Sequence, residues 1–548
     1  MKKVNTGGLT FQRMREDDKF YVDKTLLIKD ILDNDENGVY LFTRPRRFGK
    51  TINITMLDAF FNIEYEGNDW FDGLAISDHP GYAGYKNAFP VICVDMKDVV
   101  PGPGSDYDGF IDNIQTLMCD TYLKFEYLLD SDRLGEKEKN RLEPIFDMTS
   151  NESLLASSLK NLCQALEKHH ERKVIVLIDE YDRAITDSFG TELQRSIVAF
   201  LGNFLSSSLK SNSSLQMAYV TGVMQVARAG MFSGLNNMTV NNVFSTRSDE
   251  RFGFTESEVR EILGYYGHPE RFDEVREWYD GYRFGNAEVY NPFSVMNYVA
   301  KDFTPAAYWV NTSADVPLRW LIQRVDADSL GMVANLINDQ PTTHTLHFTM
   351  TYDELNTSST EDLLSLMVMT GYLNAVPTEG DDCVITIPNK EVRSIVDRSL
   401  ARNVRVSDSI FSDFNSAVLD GDAERMASIL QTILCDASYF DLRGESSYEL
   451  VLLTIMHGIL GDYEVRSQKE SGNGRADLVL TPTRDGAVPM IMELKVADSE
   501  SVLDSEVDGA LEQIRSRRYH LGMTGKVVLV GLAFFGKVPR CRTEVITI

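Results

Sequence analysis

The first part of the chain alternates short apolar runs with stretches of helical periodicity. The apolar runs lie at 39–42, 91–94, 174–178 and 217–220. Each run has the length of one buried strand, and helical stretches fill the chain between them. This alternation predicts an α/β domain over residues 1–245, in which helices flank a parallel sheet.

A mainly helical middle region is predicted over residues 246–435, where strand-like runs mostly disappear. The helical periodicity lies at 257–266, 272–279, 318–336 and 362–369. The polar turn at 378–382 is expected to join one pair of strands. We therefore predict that this region is a lid or linker between two α/β units.

The C-terminal region, residues 436–548, returns to mixed periodicity. The predicted elements are a helix at 448–460, strands at 476–480 and 490–494, a helix at 505–519 and a strand at 527–534. This stretch of chain is long enough to bury a core of its own. The pattern therefore predicts a separate, compact α/β domain at the C-terminus.

Length and charge limit the classes of protein that fit these patterns. The chain has 548 residues, of which 43% are hydrophobic, and these values predict several globular domains. Its 54 Lys and Arg against 82 Asp and Glu leave a formal net charge of −28. This excess argues against nonspecific coating of nucleic acid, because such binding depends on neutralising phosphates. A local basic cleft is still compatible with it.

Apolar runs and cysteines indicate the cellular compartment. The longest apolar run, at 527–535, is about half as long as a membrane-spanning segment, and the N-terminus leads into no apolar leader. The six cysteines form no CxxC pair, so that neither a zinc site nor a disulfide framework is suggested. These features predict a soluble, cytoplasmic protein with no membrane partner.

The sequence Arg-Pro-Arg-Arg-Phe-Gly-Lys-Thr at 44–51 indicates a nucleotide site, because it follows a predicted strand and precedes a helical stretch. In a phosphate-binding loop, backbone N–H groups surround the phosphates, a lysine reaches the β and γ oxygens and a hydroxyl holds Mg²⁺. Lys50 and Thr51 fit these last two roles. The usual pattern places glycine at Arg44, and Pro45 removes one backbone donor. Taken alone, the loop is therefore equally compatible with an ordinary helix entry.

A pair of carboxylates strengthens the nucleotide prediction. The apolar strand at 174–178 is followed by Asp179 and Glu180, and ligands of open α/β sheets bind at that end of the strands. We predict that Asp179 holds Mg²⁺, directly or through water, and that Glu180 orients and deprotonates the attacking water. Thr221 ends another strand and is a candidate sensor of the γ-phosphate, although a plain strand terminus explains it equally well. Arg228 is a candidate phosphate contact, but a solvated or ion-paired arginine is the more common case.

Beyond these motifs, the chain resembles a known family along nearly its whole length. The matching segments are 8–61, which contains Phe-Tyr-Val-Asp-Lys-Thr at 20–25 and the loop at 43–51, then 177–182, 221–223, 232–237, 252–256 and 278–282. They are similar to those of the AAA-ATPase-like family of bacterial and archaeal proteins, whose loop usually lacks the first glycine. The resemblance implies an AAA-like P-loop domain that binds ATP and Mg²⁺. The nucleotide-binding residues would be Arg46, Arg47, Phe48, Gly49, Lys50, Thr51, Asp179 and Thr221, with Thr51 and Asp179 also contacting the metal.

Members of that family commonly end in a PD-(D/E)XK nuclease-like domain, and the C-terminal region contains residues that match its motif. Asp477 lies in one predicted strand, and Glu493 and Lys495 lie in the next. Because side chains alternate along a strand, Glu493 and Lys495 share a face that Asp477 can join. Asp477 and Glu493 would share a divalent metal, while Lys495 positions or activates the water that attacks a phosphodiester. The same spacing occurs in surface hairpins, but unpaired charge would be costly in so apolar a strand.

Further residues fit the nuclease motif less closely. Glu445, or Glu449 in the following helix, is a candidate third acid, and Gln513 lies on the helix after the Glu-x-Lys strand. A basic cluster surrounds that helix, and it would either meet a phosphate backbone or form a solvated face. Its members are Arg515, Arg517, Arg518 and His520.

The combined prediction is an ATPase fused to a Mg²⁺-dependent nuclease-like domain, in which the ATP state controls phosphodiester cleavage of DNA or RNA. One alternative is a nucleotide-switched binding or remodelling protein, whose nuclease-like domain recognises a partner without cleaving it. A weaker one is an ATP-binding module with negligible turnover. A homo-oligomer is compatible with the sequence, but no arginine can be assigned to a neighbouring subunit's site.

Overall fold

The computed structural model of the chain is mixed α/β, which confirms the predicted fold class. It describes residues 1–35, 38–100, 106–189, 191–210, 212–224, 238–309, 336, 341–347, 360–378, 380, 382–395, 408–436, 448–449, 451–452, 456, 463–471, 474–483 and 487–548. The strands within these residues form two five-stranded sheets, a three-stranded sheet and a two-stranded hairpin.

A parallel sheet organises the N-terminal region, as the sequence predicted, and it has a fifth strand, Met238–Asn241, beyond the four predicted runs. Its strands are β1 (Val39–Thr43), β2 (Val91–Asp95), β3 (Val174–Asp179), β4 (Leu215–Gly222) and β5 (Met238–Asn241). Their order across the sheet is β2-β3-β4-β1-β5, and every neighbouring pair is parallel. β1 and β3 are buried along their whole length, which explains their continuous apolar runs. The carboxyl ends of all five strands meet at one edge.

Helices connect and cover these strands. The α-helices described in this part of the chain are Phe11–Glu16, Leu26–Leu32, Lys50–Phe61, Tyr107–Leu123, Glu136–Phe146, Glu152–Ala156, Ser158–His170, Arg183–Asp187 and Gln194–Leu209. The helix Lys50–Phe61 packs against β2, β3 and β4 through buried residues that include Ile54, Leu57 and Phe61. Its N-terminus therefore lies at the carboxyl edge of the sheet, directly after β1.

The middle region combines helices with small antiparallel sheets. Its described helices are Glu256–Tyr265, Phe272–Tyr279, Pro292–Ala300 and Thr360–Thr370. Three of them match predicted helices, and the predicted helix at 318–336 lies outside the described residues except for Leu336. The strands are β6 (Tyr282–Phe284) and β7 (Ala287–Val289), which form a hairpin, and β8 (Thr342–Thr345), β9 (Asn374–Pro377) and β10 (Asp382–Thr386). The pair β9 and β10 is the strand pair predicted around 378–382.

The hydrophobic core of the N-terminal sheet extends into the middle region. Tyr282, Phe284 and Trp309 belong to the same buried cluster as the residues of β1, β3 and β4, and so do most apolar residues of the helix Thr360–Thr370. The predicted limit between residues 245 and 246 therefore coincides with a change in secondary structure, while one core continues across it.

The C-terminal region forms the second five-stranded sheet. Its strands, in both chain and sheet order, are β11 (Tyr463–Ser471), β12 (Gly474–Pro482), β13 (Met490–Val496), β14 (Lys526–Phe535) and β15 (Val538–Thr547). β13 and β14 are parallel, and the other pairs are antiparallel. The helix Leu503–Ser516 connects β13 to β14 and packs on both. The predicted strands and connecting helix are confirmed, whereas β11 and β15 are additions.

Two further helices pack against this C-terminal sheet. The helices Asp408–Asp420 and Ala423–Asp436 contribute residues such as Phe414 and Leu430 to a core shared with β12, β13 and β14. Their sequence had been grouped with the middle region, and the limit at 435/436 stays a prediction. The predicted helix at 448–460 lies partly outside the described residues. Among the helices that are described, none is long and apolar enough to cross a bilayer.

Replacing Gly531 by alanine is expected to destabilise the C-terminal region. A Cβ at Gly531 in β14 would lie 2.7 Å from the Val507 carbonyl oxygen and 2.9 Å from Leu511 Cγ, both in the packed helix. Overpacking of this kind costs about 1–3 kcal/mol. Thermal unfolding followed by circular dichroism measures the effect.

Gly509→Ala is the matched control for this substitution. Gly509 lies in the same helix, and a Cβ there meets nothing within 4 Å. Alanine favours a helix over glycine by up to about 1 kcal/mol, so Gly509→Ala is expected to preserve or raise stability. Equal stability of the two variants would contradict the close packing of the helix on β14.

Candidate functional site

The phosphate loop, residues 44–49, connects β1 to the helix Lys50–Phe61 at the carboxyl edge of the sheet. Gly49 caps the helix in the left-handed region with φ 88°, and Arg47 also has a positive φ of 71°. Glycine adopts this conformation freely, but for arginine it is strained, and such strain is concentrated at functional sites. The turn presents the first N–H groups of the helix at the sheet edge, where an anion is favoured.

Lys50, the first residue of the helix, is nearly fully buried against this phosphate loop. Its Nζ donates hydrogen bonds to the carbonyl oxygens of Arg44 at 2.9 Å and Pro45 at 3.0 Å. Burial lowers the pKa of Lys50, and the carboxylates of Glu180 and Asp179 act in the opposite direction. An ammonium group is thus held inside the loop close to the acidic end of β3.

Asp179 connects three elements of the site. Thr51 Oγ1 donates a hydrogen bond to Asp179 Oδ2 at 2.6 Å, and Thr221 Oγ1 donates to Asp179 Oδ1. The backbone N–H of Glu180 also donates to Oδ1, at 3.0 Å. Burial raises the pKa of Asp179, while the two hydroxyl donors lower it. The sequence-predicted residues Thr51, Asp179 and Thr221 therefore converge, and their oxygens are the ligand type that Mg²⁺ prefers.

Tyr181 and Asp182, which directly follow the carboxylates of Asp179 and Glu180, hold the end of β4 in place, although no role was predicted for them from the sequence. Asp182 Oδ2 accepts hydrogen bonds from the backbone N–H groups of Val223 at 2.9 Å and Met224 at 2.7 Å. The Tyr181 hydroxyl donates to the Met224 carbonyl oxygen at 2.6 Å. A Cβ at Gly222 would lie 2.5 Å from the Tyr181 ring. The available signal was the Asp-Glu-Tyr-Asp sequence, which extends the acidic pair by a third carboxylate.

Two residues of the loop, Arg44 and Phe48, anchor it to the surrounding structure through their side chains. The Arg44 guanidinium is fully buried and donates to the Asn241 carbonyl oxygen at 3.0 Å and to Asn241 Oδ1 at 2.6 Å. The Phe48 ring packs against Tyr282 and Phe284, with centroids 4.8 and 5.1 Å away. The residue in place of the first glycine is therefore structural, and any contact of Phe48 with a nucleotide comes from its backbone.

The other two arginines of the loop lie nearer the surface. Arg46 is half-buried, and its carbonyl oxygen accepts a hydrogen bond from Trp309 Nε1 at 3.3 Å. Arg47 is exposed, and its guanidinium lies over the Phe293 ring at 4.1 Å from the centroid. Their contacts with a nucleotide stay predictions. Arg228, the other candidate phosphate contact, lies outside the described residues.

A second carboxylate pair lies in the C-terminal sheet. The register of β12 and β13 places Asp477 beside Glu493, and the Asp477 N–H donates to Glu493 Oε2 at 3.4 Å. Asp477 Oδ2 accepts from the Leu494 N–H at 2.7 Å, and Lys495 Nζ donates to Glu493 Oε1 at 3.2 Å. Asp477 is 9% exposed and Glu493 only 1%. The three residues predicted from the Asp and Glu-x-Lys pattern are thus brought together.

Gln513 completes the immediate surroundings of Glu493. Its Nε2 donates to Glu493 Oε1 and to the Tyr519 hydroxyl, the latter at 3.3 Å. Burial and the charge of Asp477 raise the pKa of Glu493 to about 7, and Lys495 partly offsets this. The sequence singled out Gln513 but not Tyr519, since a tyrosine after a helix gives no distinctive signal.

Two candidates for a third acid were predicted for this site. Glu445 lies outside the described residues, and Glu449 is buried in a helix. Within the described residues, no group of three or more His, Cys, Asp or Glu side chains could hold a metal. In the basic cluster, Arg515 forms ion pairs with Glu512 at 3.2 Å and with Glu544. Its charge is therefore partly neutralised within the domain.

Two family models match the chain, one on each side of the middle region. Residues 6–232 match the AAA-ATPase-like family, described as a predicted AAA-ATPase, and residues 443–541 match the PD-(D/E)XK nuclease superfamily. The chain joins an AAA-ATPase-like domain to a PD-(D/E)XK nuclease superfamily domain. Such families usually use a nucleotide and a divalent metal. The AAA-ATPase-like domain contains the phosphate loop and Asp179, and the nuclease-superfamily domain contains Asp477, Glu493 and Lys495.

A curated relative also matches this chain. A protein of Azotobacter chroococcum mcd 1, described as an uncharacterized protein in vnfD 5'region, is 30% identical over 315 residues. The match covers 57% of this chain and 54% of the relative, so the chain spans about half the relative's length. The relative's description names no activity.

The metal-free protein is expected to lose a stability contribution from Glu493 as the pH rises towards 7. The pKa of this group is raised from 4.5 to about 7 in the folded chain. Protonation of Glu493 therefore contributes its full stability below the pKa of the unfolded chain, and this contribution is lost as the pH rises through the pKa of the folded chain. The test compares urea midpoints of the parent and Glu493→Gln between about pH 5 and pH 8. Parallel profiles for the two proteins would show that Glu493 titrates normally.

Proposed function

We propose that the AAA-ATPase-like domain binds and hydrolyses ATP with Mg²⁺ at the edge of its parallel sheet. The convergence of Thr51 and Thr221 on Asp179 carries this proposal, because hydroxyl and carboxylate oxygens lie directly beside the helix N-terminus. Thr51 Oγ1 and Asp179 Oδ2, which are hydrogen-bonded at 2.6 Å, would provide oxygen ligands for Mg²⁺, directly or through water. Lys50 would place its positive charge on the terminal phosphates. The backbone of Arg46, Arg47, Phe48 and Gly49 would surround them.

Glu180 is the proposed general base of ATP hydrolysis. It follows Asp179 directly, is half-buried and adopts a positive φ of 51°. Strain of this kind persists where the surrounding structure enforces it. Here Asp179 Oδ1 accepts hydrogen bonds from the Glu180 N–H and from the Thr221 hydroxyl of the neighbouring strand β4. The carboxylate would take the proton of the attacking water, and Thr221 would respond to the γ-phosphate through Asp179.

We further propose that the nuclease-superfamily domain cleaves phosphodiester bonds of DNA or RNA. Burial, and after it the charge of the neighbouring Asp477, raise the pKa of Glu493, because two carboxylates that lie side by side out of water repel one another. A divalent cation relieves this repulsion as a proton does, which supports Asp477 and Glu493 as metal ligands. Lys495, held on Glu493 Oε1, would position the attacking water, and Gln513 would orient the same carboxylate.

ATP-controlled cleavage is the function that we propose for the whole chain, since both groups of residues occur in one polypeptide. The alternative is a nucleotide-switched binding or remodelling protein that recognises nucleic acid or another partner without cleaving it. The ion pairs of Arg515 with Glu512 and Glu544 favour this alternative, because they weaken the basic cluster that would hold a phosphate backbone. A homo-oligomer and a cytoplasmic location stay predictions.

Glu180→Gln is expected to retain ATP binding and to lose most of its hydrolysis. Loss of a general base typically lowers kcat by about 10²- to 10⁴-fold, whereas binding depends on Lys50 and the loop backbone. Lys50→Ala is expected to lose ATP binding as well as hydrolysis. Calorimetry measures ATP binding, and a phosphate-release assay measures hydrolysis, so the two effects can be separated. The exposed Glu192, changed to Gln, is the control, and undiminished turnover by Glu180→Gln would exclude it as the base.

Asp477→Asn is expected to abolish Mg²⁺-dependent cleavage while the domain stays folded. Asparagine retains an oxygen that can accept the Leu494 N–H, but it lacks the charge that a divalent metal requires. Cleavage of single- and double-stranded DNA and of RNA is measured with Mg²⁺ or Mn²⁺. The exposed Asp498→Asn variant, just after β13, is the matched control. Absence of cleavage in the parent, with ATP hydrolysis intact, would favour the remodelling alternative.

A further inference from the structure

The middle region contacts each residue of the phosphate loop from 44 to 48. The Arg44 guanidinium lies over the Phe252 ring, 4.7 Å from its centroid. Pro45 packs against Gly371, where an added Cβ would lie only 2.8 Å from Pro45 Cβ. Arg47 and Phe48 contact aromatic rings of the same region. The loop is therefore enclosed by residues that lie far along the chain.

Trp309 holds the backbone of this loop at its centre. Its Nε1 donates a hydrogen bond to the Arg46 carbonyl oxygen at 3.3 Å, and the side chain is 2% exposed. The indole also packs against Tyr372, with ring centroids 5.1 Å apart. Because a trans peptide is planar, the carbonyl of residue 46 and the N–H of residue 47 point in opposite directions. The hydrogen bond from Trp309 therefore directs the Arg47 N–H away from the indole.

Trp309 is held in turn by a buried carboxylate. Its backbone N–H donates to Glu391 Oε1 at 2.8 Å. Ser294 Oγ donates to both oxygens of Glu391, at 3.0 and 2.8 Å. Glu391 is fully buried, and burying a carboxylate is costly unless its oxygens are hydrogen-bonded. These bonds link the helix Pro292–Ala300, Trp309 and the phosphate loop in one chain of contacts.

We propose that Trp309 is a positioning residue for the bound nucleotide. It fixes the peptide between residues 46 and 47 so that the Arg47 N–H is available to a phosphate, and it couples phosphate binding to the middle region through Glu391. This inference rests on the proposed binding of ATP at Lys50. Because coupling is reciprocal, phosphate binding changes the surroundings of the indole, and loss of the indole N–H weakens phosphate binding.

The test compares Trp309→Phe with Trp278→Phe in the full-length protein. Phenylalanine at 309 retains an aromatic contact with Tyr372 and removes the N–H donor. ATP affinity is expected to fall roughly fivefold, which corresponds to one net hydrogen bond. Trp278, which is half-buried elsewhere in the middle region, is expected to tolerate the change without loss of affinity. Calorimetry with ATP measures both variants.

Tryptophan fluorescence provides a second readout that a purely structural role would not change. The chain has four tryptophans, and the emission change on adding ATP is expected in the parent and in Trp278→Phe but not in Trp309→Phe. Glu391→Gln retains the shape of the carboxyl group and is expected to shift affinity in the same direction. If the parent fails to bind ATP, the proposed ATPase function is wrong. If the parent binds ATP and Trp309→Phe retains both its affinity and its emission change, only the role of Trp309 is wrong.

Discussion

The carboxylate of Asp179 is the constraint on which the proposed nucleotide site depends. It is buried at the end of β3, and a buried carboxylate is tolerated only when its oxygens are satisfied. Thr51 at the start of the helix Lys50–Phe61 and Thr221 near the end of β4 provide the hydroxyl donors. The strand order makes this possible, because β4 lies between β1 and β3 and places the Thr221 hydroxyl beside Asp179. One acid thereby sets the relative positions of the phosphate loop, the candidate base and the candidate sensor.

The C-terminal site relies on the same kind of constraint. Asp477 and Glu493 are both buried on neighbouring strands; Lys495 and Gln513 donate hydrogen bonds to Glu493, and the Leu494 N–H donates one to Asp477. Burial and the charge of Asp477 together raise the pKa of Glu493. In the AAA-ATPase-like domain, the charge of Lys50 and several hydrogen-bond donors surround the acidic residues. Both sites therefore contain buried carboxylates that are candidate ligands of a cation, and the middle region shares its core with the domain that would bind the nucleotide.

Sequence patterns predicted the parts of the structure whose determinants are local. β1 and β3 are buried on both faces, so continuous apolar runs revealed them, and the motif spacing located Lys50, Asp179 and the Glu-x-Lys pair. β15 escaped prediction because it is an edge strand with alternating polar residues and Pro539. The structural role of Arg44 was also hidden, since its partner Asn241 lies 197 residues away in the chain. Contacts of that kind are determined by the tertiary fold and leave no local signal.

The measurement that tests the central claim most directly is the rate of nucleic-acid cleavage by the full-length protein with Mg²⁺, in the absence and presence of ATP. The parent is compared with Glu180→Gln, which is expected to hold ATP without hydrolysing it, and with Lys50→Ala, which is expected not to bind ATP. If the ATP state controls cleavage, ATP changes the rate in the parent and in Glu180→Gln, and leaves the rate of Lys50→Ala unchanged. Cleavage that proceeds at the same rate with and without ATP in all three proteins would contradict control of one site by the other.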